Sequence, residues 1–283
     1  MADGRADRRD QIRFATEVFS CELCVSSPQR PKTTAPAAYS AGSFRIMECM
    51  SCGLVYVSPR LCTEYRDACY EQETHLVSWF RTDEKALRVD AQAVLSTVAS
   101  TGVVAGNWLD VGCGIGTLLD GAREAGFTTL GIELNGPCAD AAAARHPVLC
   151  ANAYEADIAP GLYDVITMTQ VLEHVARPAR LLELVAGWLR PGGVAFVAVP
   201  SYDWLREGLS AALGTLRPSL TAYSPEDHLY YYRPTTMGVL LRSAGLQQLD
   251  LSSAWTRVQR MRRRTMSLLG LSRGAYLAVK CRQ

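Results

Sequence analysis

The sequence predicts an α/β fold built on a mainly parallel β-sheet. Beyond Gly106, short apolar runs alternate with helical stretches, as a parallel sheet with crossover helices requires. The expected helices end at Gly or Pro signals, notably Gly126 and the turn Pro191–Gly193. A chain of 283 residues is also long enough for one large domain with a small appendage.

Each element of the sheet has its own signal of apolar residues bounded by turn residues. The first five expected strands are Trp108–Val111, Thr129–Ile132, Pro147–Ala151, Asp164–Thr169 and Val194–Val199. The expected helices between them are Gly116–Ala125, Pro137–Arg145 and Pro178–Leu189. A later helix at Thr235–Ala244, a strand at Leu246–Ser252 and a reversed last strand at Ala275–Lys280 would complete a seven-stranded sheet.

Bulk composition excludes some classes of protein. The apolar share of 48% and the charged share of 20% are typical of globular proteins. The net charge of +1 gives no general reason to expect nucleic acid or membrane as a partner. Because no apolar run reaches membrane-spanning length and the first residues are charged rather than signal-like, we expect a cytoplasmic protein. A monomer and a homodimer both stay open.

Four of the ten cysteines form two C-x-x-C pairs, Cys21 with Cys24 and Cys49 with Cys52. Two such turns on adjacent strands bring four thiolates to one tetrahedral centre, which suits Zn²⁺. Gly53 permits the left-handed turn of a metal knuckle, and the following residues 54–57 have the pattern of a strand. The alternative is that the four cysteines are buried as small apolar side chains. We expect a zinc ribbon with a long loop over residues 28–38.

The chain therefore divides into four parts in our interpretation. Residues 1–18 are expected to be a flexible tail, and residues 19–60 the zinc ribbon. Residues 61–104 would form two linker helices, at Thr63–Phe80 and Asp83–Ser100, that cover a cofactor. Residues 105–283 would form the main domain, with an insertion at 201–234 that covers an acceptor pocket and contains a helical stretch at Trp204–Leu213.

A glycine-rich turn and a later carboxylate predict a nucleoside site at the carboxyl ends of the strands, where ligands bind in doubly wound sheets. Asp110 ends the first strand, and the glycines that follow, Gly112, Gly114 and Gly116, let the backbone lie against a ligand. Glu133 ends the second strand and is placed to accept hydrogen bonds from two ribose hydroxyls. These residues alone fit a dinucleotide or an S-adenosyl ligand.

Further motifs separate these ligands. Five segments of the chain resemble class I S-adenosylmethionine methyltransferases in sequence and order. They are Asp-Val-Gly-Cys-Gly-Ile-Gly (110–116), Leu-Gly-Ile-Glu (130–133), Tyr-Asp-Val-Ile (163–166), Val-Leu-Glu-His-Val (171–175) and Leu-Arg-Pro-Gly-Gly (189–193). The resemblance covers about residues 105–250. It implies a Rossmann-like class I methyltransferase sheet of seven strands and S-adenosylmethionine as cofactor.

The resemblance also implies roles for single residues. Asp110 and the glycines would face the methionine part of the cofactor, Glu133 and Leu134 the ribose, and Asn152 with Ala153 the adenine edge. The family often has Asp at the position of Asn152. Gln170 would lie near the sulfonium. Tyr65 and Tyr70 would either fold over the cofactor or pack the linker helix against the core.

Methyl transfer needs a base only if the acceptor is protonated, and the chain has four histidines. We expect His146 at the surface and His75 on a linker helix without a catalytic role. His174 follows the fourth strand at the ligand edge, where it is a candidate catalytic residue, with a structural or orienting role as the alternative. His228 lies among acidic and aromatic residues, where a histidine can exchange protons near neutral pH.

The order of four-cysteine ribbon, methyltransferase core and late acidic-His-aromatic segment resembles bacterial methyltransferases of deoxysugar and natural-product pathways. In the sugar C-methyltransferases of that group, a Tyr-x-Glu-His segment supplies the base. Here His228 matches, Asp227 replaces the Glu, and Tyr223 is the nearest substitute for the Tyr, because Pro225 occupies its position. The resemblance implies a small-molecule acceptor and leaves O-, N- and C-methylation open.

Two alternatives remain at this stage. One is a zinc-ribbon RNA methyltransferase, in which the five arginines of segment 257–264 contact phosphates. The same arginines could instead bind a phosphorylated acceptor or lie on a solvated hairpin. The other is a scaffold that binds S-adenosylmethionine without turnover.

Overall fold

In the computed structural model of the protein, the described residues are 16–24, 28–36, 43–200, 224–249 and 274–281. Three features expected from the sequence lie outside these residues: the helical stretch Trp204–Leu213, Tyr223 and the arginine-rich segment 257–264. Within the described part of the chain, no helix has the length and apolar character needed to cross a membrane.

The predicted seven-stranded sheet is confirmed. Its strands are β6 (Gly106–Val111), β7 (Phe127–Glu133), β8 (Val148–Cys150), β9 (Tyr163–Thr169), β10 (Leu189–Pro200), β12 (Leu246–Gln248) and β13 (Gly274–Cys281). They lie in the order β12-β13-β10-β9-β6-β7-β8. The five strands from β10 to β8 are parallel, whereas β13 runs antiparallel to both of its neighbours.

The helices of the main domain that pack on this sheet are α4 (Thr117–Glu124), α5 (Gly136–Ala143), α6 (Pro178–Trp188) and α7 (Pro234–Ser243). Each buries one apolar stripe, as helices on a sheet must. On α6 that stripe comprises Leu181, Leu182 and Val185, all fully buried in the main core with the strand residues Ile166 and Val197. The short β8 and the helix boundaries differ from the sequence prediction by one or two residues.

The strand order places a crevice in the middle of the sheet. From β6 the chain continues on one side to β7 and β8, and it returns on the other side of β6 as β9 and β10. The connections that follow β6 and β9 therefore diverge at the carboxyl ends of these strands, which is where ligands bind in open α/β sheets.

The ribbon region contains more strand than the sequence suggested. The strands β2 (Gln29–Pro36), β3 (Ser43–Cys49), β4 (Val55–Val57) and β11 (Tyr230–Tyr231) form a four-stranded antiparallel sheet in the order β11-β4-β3-β2. The expected loop at residues 28–38 is wrong for its central part, which pairs with β3 as strand β2. Its register shifts between Pro31 and Thr33, because proline has no N–H for the ladder. Residues Thr16–Glu17, expected in the flexible tail, form strand β1, which pairs with β5 (Arg60–Leu61).

The linker holds three helices where two were expected: α1 (Thr63–Glu71), α2 (His75–Thr82) and α3 (Glu84–Ala99). The expected helix Thr63–Phe80 is interrupted because Asn135 donates its side-chain amide to the carbonyls of Tyr70 and Glu73, at 2.6 and 3.0 Å. Those carbonyls lie where α1 ends, so a distant side chain satisfies groups that a longer helix would use. Helix α3 packs Val94 and Val98 on the sheet residues Trp108 and Phe127.

Candidate active site

The glycine-rich turn after β6 is a backbone cradle that only glycine can form. Gly112, Gly114 and Gly116 all have positive φ angles, of 74°, 54° and 85°. A Cβ on Gly112 would overlap the Cγ2 of Val171, the residue that follows Gln170. A Cβ on Gly114 would come within 3.2 Å of the ring of Phe80 on α2. The turn therefore favours glycine both for its backbone conformation and for the lack of room for a side chain.

Asp110 lies buried at the start of this turn. It accepts a hydrogen bond of 2.6 Å from Thr167 Oγ1, which in turn accepts one of 3.0 Å from the indole nitrogen of Trp108. Burial raises the pKa of Asp110 to about 7, and the nearby carboxylate of Glu133 adds to the rise. Two carboxyl groups that face one crevice favour a ligand with positive charge, because a cation lowers both pKa values.

Glu133 is buried at the end of β7 and held from three sides. Its two carboxylate oxygens accept hydrogen bonds of 2.8 Å from the backbone amides of Gly114 and Asn135. The side chain of Tyr70 also bonds to it. Burial raises the pKa of Glu133, whereas the backbone amides of Asn135, Gly114 and Leu134 act in the opposite direction. The carboxylate is thus fixed beside the glycine turn, next to the half-buried Leu134.

The adenine position predicted at Asn152 is linked to the linker helix α1. The side-chain amide of Asn152 donates to Asp67 Oδ2 at 3.1 Å, and its oxygen accepts from the backbone amide of Tyr154 at 3.1 Å. Ala153 between them is partly buried against the main core. Asp67 was missed in the sequence, since one acidic residue on an amphipathic helix has no distinguishing pattern. Burial raises the pKa of its carboxyl group.

Gln170 follows β9 in a left-handed conformation with φ of 57°, which is uncommon for a residue other than glycine. Its backbone amide still donates to Ala198 O on β10, at 2.8 Å. The sheet therefore holds the strained residue in place. Such strain concentrates at functional sites.

The two tyrosines of α1 lie on different sides of the helix. Tyr70 reaches Glu133, whereas its contact with a cofactor stays a prediction. Tyr65 instead packs against the apolar residues of the ribbon sheet, such as Val57 and Tyr231. Residues five apart on a helix point about 140° away from each other, so the two tyrosines contact different surfaces. The cofactor contact expected of Tyr65 stays a prediction, beside the alternative that this ring has a packing role.

His174 and His228 form a pair beside the crevice, with ring centroids 4.8 Å apart in an edge-to-face arrangement. His174 Nδ1 lies 2.9 Å from the carbonyl oxygen of Asp227 and donates to it, which leaves Nε2 free of its proton in the neutral ring. Burial and the neighbouring His228 lower the pKa of His174. Burial and Arg66 lower the pKa of His228, whereas Asp227 acts to raise it. His174 still keeps 39% of its side-chain surface accessible, so a ligand can reach the pair.

The residues around the pair have distinct roles. The carboxylate of Asp227 accepts a hydrogen bond of 2.7 Å from Ser224 Oγ, so it caps its own turn. Glu173 is fully buried, and its two side-chain oxygens find no hydrogen-bond partner among the described residues. Burial raises the pKa of Glu173 to about 8, which favours the neutral form of this side chain. The predicted contribution of Tyr223 falls outside the described residues.

Arg66 is a further residue that the sequence did not single out. Its guanidinium donates hydrogen bonds to three backbone carbonyls, of His174 at 3.0 Å, Glu226 at 3.2 Å and Asp227 at 3.0 Å. Arg66 lies one turn before Tyr70 on α1, so both side chains leave the same side of the helix. No motif marks such an arginine, because its partners are backbone atoms of distant segments.

The other two histidines lie away from this site. His75 is exposed on α2 and lies 3.4 Å from Glu73 Oε1. The expectation that His146 lies at the surface is wrong: its side chain is fully buried and its Nε2 lies 2.8 Å from Asp120 Oδ1. Arg145 also binds Asp120 through two nitrogens, each at 3.1 Å. This cluster fixes the helix that follows the glycine turn, which is a structural role.

The four ribbon cysteines converge as their spacing predicted. The Sγ atoms of Cys21, Cys24, Cys49 and Cys52 all lie within 4.8 Å of one another, and Cys21 and Cys52 approach to 3.5 Å. A tetrahedral Zn²⁺ with bonds of about 2.3 Å requires sulfur separations of about 3.8 Å, which lies between the 3.5 Å of the Cys21–Cys52 pair and the upper limit of 4.8 Å for the cluster. The Gly53 amide donates to Cys49 O at 2.9 Å in the turn of the second knuckle. The donor set thus fits a structural zinc ion.

Comparison with known proteins gives a consistent result. The family described as "Methyltransferase domain" matches residues 83–251, which is more than half of the chain. A ubiquinone biosynthesis O-methyltransferase of Burkholderia pseudomallei is 28% identical over 153 residues, which covers 50% of this chain and 65% of that protein. The enzyme of the same name from Pseudomonas aeruginosa is 29% identical with the same coverage. The chain thus spans less than two thirds of the length of these relatives.

Solved structures share the fold. A methyltransferase in complex with the Trm112 methyltransferase activator of Haloferax volcanii superposes with a TM-score of 0.52 at 16% identity, covering 73% of this chain and 95% of that one. An S-adenosylmethionine-dependent methyltransferase of Clostridium acetobutylicum gives a TM-score of 0.50 at 15% identity, covering 73% and 98%. With a glycine cradle, a fixed strand-end carboxylate and this match in sequence, the chain belongs to the methyltransferase-domain family and has its α/β Rossmann-like fold.

Proposed function

We propose that the protein methylates a hydroxyl group of a small-molecule acceptor and that His228, supported by His174, takes up the hydroxyl proton. The observation that carries this proposal is the pair of histidine rings, 4.8 Å apart, in the segments that follow β9 and precede β11. The His174 ring is reachable from solvent although protein surrounds the pair. These are the properties expected of a base that meets a bound acceptor.

The cofactor side of the proposal rests on the crevice between β6 and β9. Asp110 and the glycine turn would hold the methionine part, Glu133 the ribose, and Asn152 with Asp67 the adenine edge. Bound S-adenosylmethionine supplies a methyl group on a positively charged sulfur. The carboxyl groups of Asp110 and Glu133 favour a ligand of that charge, since burial raises the pKa of each and a nearby cation would lower it.

The protein's own part in the reaction is alignment and proton transfer. An in-line displacement requires the acceptor oxygen to point at the methyl carbon, which oriented binding achieves more effectively than any single charged group. When the acceptor oxygen is methylated and the methyl–sulfur bond of the cofactor breaks, the neutral ring of His228 would take up the hydroxyl proton. The lowered pKa values of both histidines keep them unprotonated at neutral pH, so the base is available without prior deprotonation.

The same electrostatics bears on the acceptor. A histidine with a lowered pKa is a weak base, so it matches an acidic hydroxyl, such as a phenol or an enol, better than a simple alcohol. The relatives named as ubiquinone biosynthesis O-methyltransferases support methylation at oxygen. The ribbon layout supports an intermediate of a natural-product or nucleotide-sugar pathway. Both lines agree on a small-molecule acceptor.

We further propose that the cysteine cluster binds one structural Zn²⁺. Four thiolates fill a tetrahedral site and leave no position for a substrate. In this proposal, Cys21, Cys24, Cys49 and Cys52 stabilise the ribbon sheet and take no part in methyl transfer.

The test uses wild-type protein, His228→Ala and, as a matched control, His75→Ala on the exposed face of α2. Isothermal titration with S-adenosylmethionine should give the same affinity for all three proteins. Turnover of phenolic and enolic acceptors, followed by a product mass increase of one methyl group, should fall about 10²- to 10⁴-fold in His228→Ala only. Unchanged turnover in His228→Ala would remove this residue as the base. Failure of wild type to bind S-adenosylmethionine would refute the cofactor assignment.

A further inference from the structure

One side chain connects the two segments that carry the histidine pair. His174 lies in the connection between β9 and α6, and His228 lies in the segment 224–229 before β11. Arg66 of α1 donates to a carbonyl of the first segment, His174 O, and to two of the second, Glu226 O and Asp227 O, all within 3.2 Å. The three acceptors are backbone oxygens, so the contact fixes the course of the chain rather than one rotamer.

The helix that carries Arg66 also reaches the cofactor crevice. On the same helix, Asp67 accepts from the Asn152 amide at 3.1 Å, and Tyr70 bonds to Glu133. Asn135 binds the carbonyl of Tyr70 at 2.6 Å. Helix α1 therefore contacts the expected ribose and adenine positions with one set of residues and the histidine pair with another.

We propose that Arg66 is the positioning residue of the His174–His228 pair: its guanidinium joins the two backbone segments under the cofactor-covering helix and keeps both rings in their unprotonated, proton-accepting state. The inference rests on the proposed function, since it assigns Arg66 to the proton acceptor of that reaction. It goes beyond that function because it assigns two tasks to helix α1, which would both cover the cofactor and hold the two histidines of the base in place.

The charged groups around the pair determine the sign of the effect. From its own segment, His228 faces Asp227, which favours protonation, whereas Arg66 from α1 opposes it. From the other segment, His174 contributes its ring, and its Nε2 lies 3.8 Å from Glu173, whose neutral form is favoured by burial. The ring of Tyr231 on β11 lies 6.4 Å from His228. Arg66 is thus the one fixed cation in this set, and its removal should raise the pKa of His228.

The experiment compares Arg66→Gln, which removes the charge, with Arg66→Lys, which keeps the charge but cannot span three carbonyls. The control is Arg88→Gln on α3, whose guanidinium pairs with the exposed Glu84 at 2.8 Å. The first measurement is the titration of the His228 ring by NMR in protein saturated with S-adenosylhomocysteine. The second is the pH dependence of turnover, and circular dichroism verifies folding of each variant.

In Arg66→Gln, the His228 titration midpoint and the acidic limb of the pH–rate profile should both move up by about one pH unit. Arg66→Lys should keep the midpoint of wild type and lower kcat about tenfold, because the two segments are no longer joined. Arg88→Gln should match wild type in both measurements. A midpoint in Arg66→Gln that equals wild type overturns the inference, and if that variant does not fold, a wild-type kcat in Arg66→Lys overturns it. Absence of turnover by wild type with every acceptor would instead refute the proposed function, since the ring titration needs no acceptor.

Discussion

Replacement of Gly112 by Ala tests whether the glycine cradle is required by packing as well as by backbone conformation. The φ angle of 74° costs an alanine about 1–2 kcal/mol. The new Cβ also overlaps Val171 Cγ2, and over-packing of this kind costs about 1–3 kcal/mol. The free energy of unfolding should therefore fall by about 2–5 kcal/mol, measured by equilibrium urea denaturation of the ligand-free protein.

The chain contains a matched control for the backbone contribution. Gly245 has a φ angle of 78°, and a Cβ there meets no atom within 4 Å among the described residues. Gly245→Ala should therefore lose only the conformational share, about 1–2 kcal/mol. Adding Val171→Ala to Gly112→Ala should recover part of the loss through a favourable coupling in the double-mutant cycle. Equal losses for Gly112→Ala and Gly245→Ala, with no coupling to Val171, would refute the reasoning.

Two further predictions concern the ribbon and the cluster around Asp120. Elemental analysis should find about one zinc per chain. The variant Cys49→Ser should lose both the metal and cooperative unfolding, whereas the control Cys150→Ser, at an exposed cysteine, should lose neither. A metal-free protein of wild-type stability would exclude the zinc site. Burial acts to raise the pKa of Asp120, but hydrogen bonds from Arg145 and His146 leave this pKa below its usual value. The ionised Asp120 therefore stabilises the folded protein above about pH 4, and this stabilisation is lost as the pH falls through the lowered pKa. Asp120→Asn should accordingly cost about 3 kcal/mol at pH 6 and progressively less towards pH 3, with the exposed Asp140→Asn as control; a difference independent of pH would contradict this account.

Most of the sheet could be predicted because each of its elements is marked locally. An apolar run such as 164–169 or 194–199 is buried on both faces by helices, so its composition alone identifies a strand. The ribbon strand β2 escaped prediction because its residues, such as Pro31 and Lys32, have low strand propensity and acquire their structure from pairing with β3. The break between α1 and α2 escaped because Asn135, which causes it, lies far along the chain.

The same distinction holds at the site. Asp110, the glycines and Glu133 could be identified because the turn and strand end that carry them are defined by neighbouring residues. The pairing of His174 with His228 could not, because it depends on two segments more than fifty residues apart meeting across the crevice. No sequence pattern identifies Arg66 and Asp67, since their contacts depend on how helix α1 packs against segments that are distant in the sequence. His146 was misassigned because a histidine beside a proline resembles a surface turn until Asp120 is seen to face it.

The pairing of strand β11 with β4 connects the ribbon sheet to the segment that carries His228. Strand β11 begins two residues after His228 and pairs with β4, whose Val57 amide donates to Leu229 O at 3.0 Å. Strand β4 in turn pairs with β3, which ends at the zinc-ligand candidate Cys49. On the other side, the Leu229 amide donates to Glu173 O at 2.8 Å, next to His174. The His228 segment is therefore held between the ribbon sheet and the connection after β9, so the ribbon forms one wall of the histidine site rather than a separate appendage.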